Sequence, residues 1–321
     1  MVSLLTLSKI NGYYSDALKA GVLIPRSRLH IKQSAVMSYV IWGTSFSEYF
    51  GYQFWRRSHK EKKTYMTRRC MFKFFDKYNP PEYRQRIGDK SIAPKYYQKF
   101  LSREQIDKNN GFDVFSEFCK KHKEIFIKKK VGWGGEDART LLIDSDDSIK
   151  KAWEELTDNF VIEPLIKNCK EIKELYPDSL NTIKFTVLMT KGNPEIQYAL
   201  FRIGNGTPVD NVHLGGMGCG VNLASGIVET AAYDKHFFPH STHPITGKTI
   251  IGFKIPQWEI AKQFVIEAAK VTPQLRYTSW DVAITDKGPV LLEGNWDAEF
   301  YAEQMIYNRG NKKIFIEKLE K

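Results

Sequence analysis

The stretch WDVAITDKGPVLLEGNWD (280–297) sets two carboxylates, Asp281 and Glu293, at the ends of what reads as one hairpin. Val282, Ala283 and Ile284 are strand formers, as are Val290, Leu291 and Leu292. Asp286, Lys287 and Gly288 between them suit a three-residue turn with glycine last. Closing that turn on Thr285 and Pro289 pairs Ile284 with Val290, Ala283 with Leu291, Val282 with Leu292 and Asp281 with Glu293. The two acids then face each other with Cβ atoms roughly 5 Å apart. Asn295 follows two residues later on the same side. Like charges set opposite one another destabilise a sheet, so something must compensate. A hard divalent cation would, because Mg²⁺ takes one or two carboxylates together with phosphate oxygens. A lysine or arginine from elsewhere in the chain would also do so, and the spacing leaves both open.

Other stretches could bear on the same chemistry. IFIKKKVGWGGED (125–137) is a strand that ends in lysines and runs into a glycine loop. Alternation puts Lys128 and Lys130 on one face and Lys129 on the other. Main-chain N–H groups of such a loop can cradle phosphate, and a strand lysine can reach its oxygens. The pattern is neither GxxxxGK[ST] nor GxGxxG, and an ordinary turn is the plain alternative. GDKSIAPKYY (88–97) puts Lys90 after a turn and before a helix, where a surface lysine is the ordinary reading. NFVIEPLI (159–166) is a strand whose end carries Glu163 and Pro164. HFFPHSTH (236–243) clusters three histidines, but Pro239 and Pro244 break any helix that would align them on a zinc ion. No GxSxG motif and no serine or cysteine triad is recognisable.

The elements that must hold these residues alternate. Residues 1–80 read as helical and aromatic-rich, with Pro80–Pro81 as a break. AVMSYVIWGTSFSEYFGYQFW (35–55) is too interrupted to span a bilayer; it suits helix packing in a core, or contact with a membrane interface. A helix is expected over 91–101 with its continuation through SREQIDKN. Strands follow at 124–130 and 159–166, with a helix over 147–156 between them. NTIKFTVLMT (181–190) and EIQYALFRIG (195–204) form a hairpin over KGNP. The Gly- and Asn-rich 205–225 reads as a long ordered loop with short strands, and 258–271 has helical periodicity. Strand-rich segments with interleaved helices point to an α+β fold with largely antiparallel sheet.

Composition narrows the classes. The chain has 321 residues, 42% hydrophobic and 26% charged, enough for a sizeable core and for two or three subdomains. It has no apolar run long enough for a transmembrane helix, and its start does not read as a signal peptide. Cys70, Cys119, Cys169 and Cys219 are widely spaced without CxxC, which fits free thiols in a reducing compartment. The net charge of +11 is concentrated in residues 1–100, which hold 19 Lys and Arg against 6 Asp and Glu. That excess suits either a solvated helical surface or an anionic partner such as a membrane or an acidic glycan. No nucleic-acid motif accompanies it.

Taken in order, GDK before a helix, a lysine strand with a glycine loop, a strand ending in Glu and a D…E-x-N hairpin resemble the ATP-grasp superfamily. SLNTIKFTVL (179–188), RIGNGTPVDNVHLGGMGCGVN (202–222), HPITG (243–247), GFKIPQW (252–258) and SWDVAITDKGPVLLEGN (279–295) resemble its sugar-transfer-associated branch, found in polysaccharide gene clusters. The resemblance covers roughly 85–300 well and reaches 45–67 more loosely. It implies two α+β subdomains clasping ATP: a small one over 86–170 and a large one over 171–321, preceded by a helical basic region over 1–85.

It also implies roles. Lys90 and Lys128 would hold ATP phosphates under a lid containing Gly132, Gly134 and Gly135. Glu163, Pro164, Leu165 and Ile166 would be the hinge at adenine, and Glu171 would meet the ribose. Asp281, Glu293 and Asn295 would hold Mg²⁺. Lys184 and Arg202 would line the acyl-phosphate side. Asn211, Gly215 and Gly216 would face the substrate, with His213 as a candidate base. The family pattern usually has Lys-Pro where Lys129 follows Lys128, and often Arg where Lys184 stands, and lysine lacks the bidentate fork of arginine.

The implied reaction is ATP-dependent C–N ligation. A carboxylate attacks the γ-phosphate and releases ADP; an amine then displaces phosphate from the acyl phosphate. The implied partners are a small-molecule or saccharide carboxylate and an amine, in the cytoplasm or at the inner face of the membrane. A phosphotransferase on the same fold and a non-catalytic binding module are the alternatives.

Overall fold

The structure is a computed structural model that describes residues 4–131, 138–207 and 209–321. The N-terminal layer is built from α1 (Leu4–Lys19), α2 (Arg28–Trp42), α3 (Phe46–Gly51), α4 (His59–Lys62) and α5 (Arg68–Tyr78). Its boundaries follow local chemistry. Ser27 caps α2 by accepting the His30 N–H, and Gly43 ends that helix at φ 67. Ser45 with Glu48 and Ser58 with Glu61 form capping boxes at α3 and α4. The aromatic run 49–54 turns inward: Tyr49, Phe50, Tyr52 and Phe54 pack with Ile10, Ile31 and Ala35.

Next come α6 (Pro81–Gly88), α7 (Pro94–Leu101), β1 (Ile106–Asp107), α8 (Phe112–His122), β2 (Glu124–Lys129), β3 (Arg139–Leu142), α9 (Asp146–Glu155) and β4 (Phe160–Pro164). Among the described residues β1, β4, β2 and β3 make an antiparallel sheet in that order. Phe115 and Phe118 of α8 and Ile149 and Ala152 of α9 cover Ile125, Ile127 and Ile162 on it.

The rest is α10 (Lys170–Leu175), β5 (Thr182–Thr190), β6 (Asn193–Ile203), β7 (Met217–Gly220), β8 (Ala232–Tyr233), β9 (Pro239–His240), α11 (Trp258–Ala269), β10 (Tyr277–Thr285), β11 (Gly288–Asn295), α12 (Tyr301–Ile306) and α13 (Lys312–Glu320). A second antiparallel sheet runs β11-β10-β5-β6-β7-β8-β9. One of its faces carries Ile183, Phe185, Phe201, Ile203, Trp280 and Val282 against Ala261, Val265 and Ala268 of α11. Tyr97, Phe100 and Leu101 of α7 join that core. A separate cluster joins Met71, Phe74 and Phe75 of α5 to Tyr277, Phe300, Phe315 and Leu319.

Two local expectations are corrected. The helix over 91–101 begins at Pro94 and stops at Leu101, because Ser102 adopts a left-handed φ of 51 and caps it. It does not continue through 102–109; the chain turns into β1 instead. The β10–β11 turn is also one residue shorter than its letters suggest, with Thr285 opposite Gly288. The ladder then runs Ile284–Pro289, Ala283–Val290 and Val282–Leu291, and a bulge at Leu292 restores Asp281 opposite Glu293. The expected acid pair forms, through a different register below it.

Candidate active site

The side of the large sheet away from α11 carries the polar residues. Lys184 on β5 lies opposite Asp281 on β10, which lies opposite Glu293 on β11. Thr182 on β5 lies opposite Arg202 on β6. The strand period that buries Ile183 and Phe185 therefore brings Thr182 and Lys184 to this side. Arg202 Nη2 meets Asp281 Oδ2 at 2.9 Å, and its Nε and Nη2 donate to Thr182 Oγ1 at 3.0 and 2.8 Å. Asp210 lies 3.6 Å from Arg202 Nε and accepts from the Thr182 hydroxyl. Lys90 Nζ reaches Glu293 Oε2 at 3.2 Å. Both acids of the hairpin thus face cations.

The small sheet supplies the opposite wall. Lys128 on β2 pairs with Glu163 on β4 at 2.9 Å, and Arg103 pairs with the other Glu163 oxygen at 3.0 Å. Arg103 also donates to the main-chain oxygens of Leu291 at 2.6 Å and Leu292 at 3.2 Å. One guanidinium therefore ties β4 to the bulge in β11. Lys90 is held through its main chain: its N–H bonds to Lys130 O, and its carbonyl accepts from Gln105.

Between the two sheets lies a cavity of about 470 Å³, within the usual range for a small-ligand site. Lys90, Lys128, Glu163, Arg202, Asp281 and Glu293 line it. Burial raises the Asp281 carboxyl despite Arg202 and Lys184. Burial would raise Glu293 too, but Lys90, Lys128 and Arg202 outweigh it and hold the acid well below the usual range. Glu163 is likewise held down by Lys128 and Arg103 against burial. Burial draws the Lys128 ammonium down, opposed by Glu163.

The donor set fits a metal that shares its coordination with a ligand. Asp281 Oδ1 is buried and has no hydrogen-bond partner. Asn295 lies beside Glu293, its amide 3.4 Å from Oε1. Among the described residues no group of three or more His, Cys, Asp and Glu is gathered to hold a metal. Two carboxylates and an amide suit Mg²⁺ completed by phosphate oxygens.

The residues singled out in the sequence fall into three sets. Lys90, Lys128, Glu163, Pro164, Leu165, Ile166, Arg202, Asn211, Asp281 and Glu293 line the cavity. Lys184, Asn295, His213, Gly215, Gly216 and Glu171 are not among its lining residues. Of these, Lys184 and Asn295 neighbour the acid pair in the sheet. His213 is 3.8 Å from Glu299, which raises its imidazole, and Glu171 is exposed on α10. Gly216 approaches the main chain so closely that a Cβ there would lie 2.2 Å from Asp210 O. Gly132, Gly134 and Gly135 lie outside the described residues.

The clustered histidines diverge. His236 meets Asp16, His240 meets Asp234, and His243 meets the Gly204 carbonyl. Arg103, Thr182 and Asp210 are site residues that the sequence did not single out. An arginine beside a helix end carries no motif, but Thr182 and Asp210 lie within the stretches 179–188 and 202–222 that carry the resemblance.

Residues 69–321 match the family described as sugar-transfer associated ATP-grasp. No curated protein sequence matches the chain. Among solved structures, the ATP-grasp ligase PsnB complexed with a phosphomimetic variant of minimal precursor, Mg and ADP is 14% identical, with a TM-score of 0.45, over 78% of this chain and 66% of that one. D-alanyl-alanine synthetase A from Vibrio cholerae O1 biovar eltor is 11% identical, with a TM-score of 0.41, over 70% and 65%. The macrocyclase MdnC bound with precursor peptide MdnA, from Microcystis aeruginosa MRC, is 9% identical, with a TM-score of 0.44, over 82% and 73%. The chain thus spans about two thirds of the length of the first of these structures. On the family match over 69–321, the chain belongs to the sugar-transfer associated ATP-grasp family.

Proposed function

We propose that the protein is an ATP-dependent carboxylate–amine ligase that works through an acyl phosphate. The observation that carries this reading is the Asp281–Glu293 pair at a cavity walled by Lys90, Lys128 and Arg202, with one Asp281 oxygen buried and unpartnered. Such a site assembles cations around acids where a metal–polyphosphate would complete the charge balance. Residues 86–170 and 171–321 are read as the two arms around it.

Asp281, Glu293 and Asn295 would hold Mg²⁺, which when bound supplies charge neutralisation at the phosphate oxygens. Lys90 and Lys128 orient the phosphates. Glu163 positions Lys128 and is itself occupied by Lys128 and Arg103, so this reading leaves adenine to the main chain of the hinge. The Leu165 N–H is taken by the Glu124 carbonyl, and the Ile166 amide is the donor assigned to the base. Arg202, set between Asp210 and Asp281, faces the oxygens of the carboxylate being phosphorylated. Lys184, His213, Asn211, Gly215 and Gly216 are assigned to the substrate side, with His213 as base for the amine and Glu171 at the ribose. The carboxylate attacks the γ-phosphorus and ADP leaves; the amine then attacks the acyl carbon and phosphate leaves. A sugar acid or related polysaccharide precursor joined to an amino acid or other amine, in the cytoplasm, is the substrate class we infer.

The test is release of ADP and phosphate by the purified protein with ATP and Mg²⁺. Uronic acids and nucleotide-linked uronic acids are crossed with amino acids, and each mixture is analysed by mass spectrometry. Release that needs both an acid and an amine, with a product lighter than their sum by one water, is expected. A stable phosphorylated product formed from one substrate alone would replace the ligase by a phosphotransferase.

A further inference from the structure

We propose that the outer face of α2 is a docking surface for an anionic lipid membrane. Residues 28–42, RLHIKQSAVMSYVIW, contain no acid; they are apolar on the inner side and carry an apolar outer stripe interrupted by His30 and Gln33. Ile31, Ala35 and Ser38 face the aromatic core of the N-terminal layer. Leu29, Met37, Val40 and Ile41 are each more than half exposed on the outer side, at helical spacing. Leu23, in the turn that leads into the helix, is 79% exposed. Scattered apolar side chains on a surface need no explanation, but a helix with an apolar stripe on the side away from its core does.

The charge around this face selects the occupant. Residues 1–73 hold 13 Lys and Arg and only three acids, Asp16, Glu48 and Glu61. Each of those acids is already engaged: Asp16 meets His236, Glu48 is buried in its capping box, and Glu61 caps α4 and meets Arg57. Arg26, Arg28 and Lys32 lie at and just before the start of α2. Arg69 donates to the carbonyls of Tyr39 and Val40 at its end. A second copy of the chain would bring the same excess of positive charge against itself, which like-charge repulsion opposes. An anionic lipid surface complements the charge and accepts the apolar stripe. No described helix is long and apolar enough to cross a membrane, so α2 would lie in the plane of the interface. This inference does not involve the ATP site and stands or falls apart from the ligase reading.

The experiment is sedimentation of the full chain with vesicles of phosphatidylcholine alone and of an equimolar mixture with phosphatidylglycerol, at low and high salt. Binding to the mixed vesicles is expected, weakened by salt, with little binding to the neutral ones. Each basic residue near an anionic surface contributes about fivefold to binding, so R26Q/R28Q should bind about 25-fold more weakly. M37E/V40E replaces two exposed apolar contacts by charge and should lose binding by at least as much. Unchanged melting temperatures show that both variants fold, and Leu29→Gln at the other end of the stripe serves if M37E/V40E does not. Equal binding to both vesicle types, no binding to either, or unchanged binding of the stripe variants would overturn the proposal. So would a dimer in solution that M37E/V40E dissociates without any vesicle binding.

Discussion

Arg103 and Glu163 form an ion pair 3.0 Å long with both side chains about 95% buried, and the same guanidinium holds the carbonyl oxygens of Leu291 and Leu292. Lys128 still pairs with Glu163 when Arg103 is removed, so the loss is that of the guanidinium's hydrogen bonds: one Glu163 oxygen and two main-chain carbonyls lose this donor, at about 1–3 kcal/mol for each that is left unsatisfied. Arg103→Met also strips a donor from the β11 bulge. It is expected to lower unfolding free energy in denaturant by about 3 kcal/mol. A change below about 1 kcal/mol would mean that water replaces the guanidinium without penalty.

Asp281→Asn keeps the shape of the side chain and removes the charge that faces Arg202. If Asp281 shares a metal with Glu293, Mg²⁺-dependent nucleotide affinity should fall on the order of 10- to 100-fold. Titration of a fluorescent ATP analogue with and without Mg²⁺ reads this directly. Wild-type affinity in both conditions would remove Asp281 from the metal site.

Lys128→Met should weaken ATP binding on the order of 10- to 100-fold, the range of a charged hydrogen bond. Adenosine, which has no phosphate, should bind the variant and the wild type alike. Calorimetry with both ligands separates a phosphate contact from a general loss of the site. Equal losses for ATP and adenosine would mean that Lys128 only supports the fold around Glu163.

Glu303 gives a pH dependence of stability. Burial raises its carboxyl to about 7, opposed by the Thr186 hydroxyl and by Lys184. The folded chain therefore holds this proton more tightly than the unfolded chain. Its contribution is fully present below the ordinary glutamate value and is lost as pH rises through about 7. A shift from 4.5 to about 7 corresponds to roughly 3 kcal/mol. Glu303→Gln should resemble wild type near pH 4.5 and be more stable than it above pH 7, as measured by denaturant unfolding across that range. A gap that does not widen with pH would mean that Glu303 is ionised in the folded chain.

The strands of the site are legible because they obey a period of two. Ile183 and Phe185 alternate with Thr182 and Lys184, and the acids at 281 and 293 fall opposite each other. The turn between them is misjudged because glycine suits both a two-residue and a three-residue hairpin loop, and no letter marks the bulge at Leu292. The helix over 112–122 was legible in principle from Phe112, Phe115, Phe118 and Cys119, which recur at helical spacing. Arg103 was not. Its place is set by carbonyls 188 and 189 residues further along the chain, and local pattern carries no record of such a partner. The compensating cations at Asp281 and Glu293 show the same limit. The acids announce that something must balance them, but only the fold says that Arg202 and Lys90 do.

The packing of α5 fixes an order of assembly. Its Phe74 and Phe75 meet Tyr277, Phe300 and Phe315, and the Gln304 side chain accepts from Met66 N and donates to Met66 O across 238 residues of chain. On the ribosome this segment emerges long before those partners exist. Its aromatic face must wait in solution, or on a chaperone, until α12 and α13 have been made. The aromatic face of α5 is therefore made early and buried late.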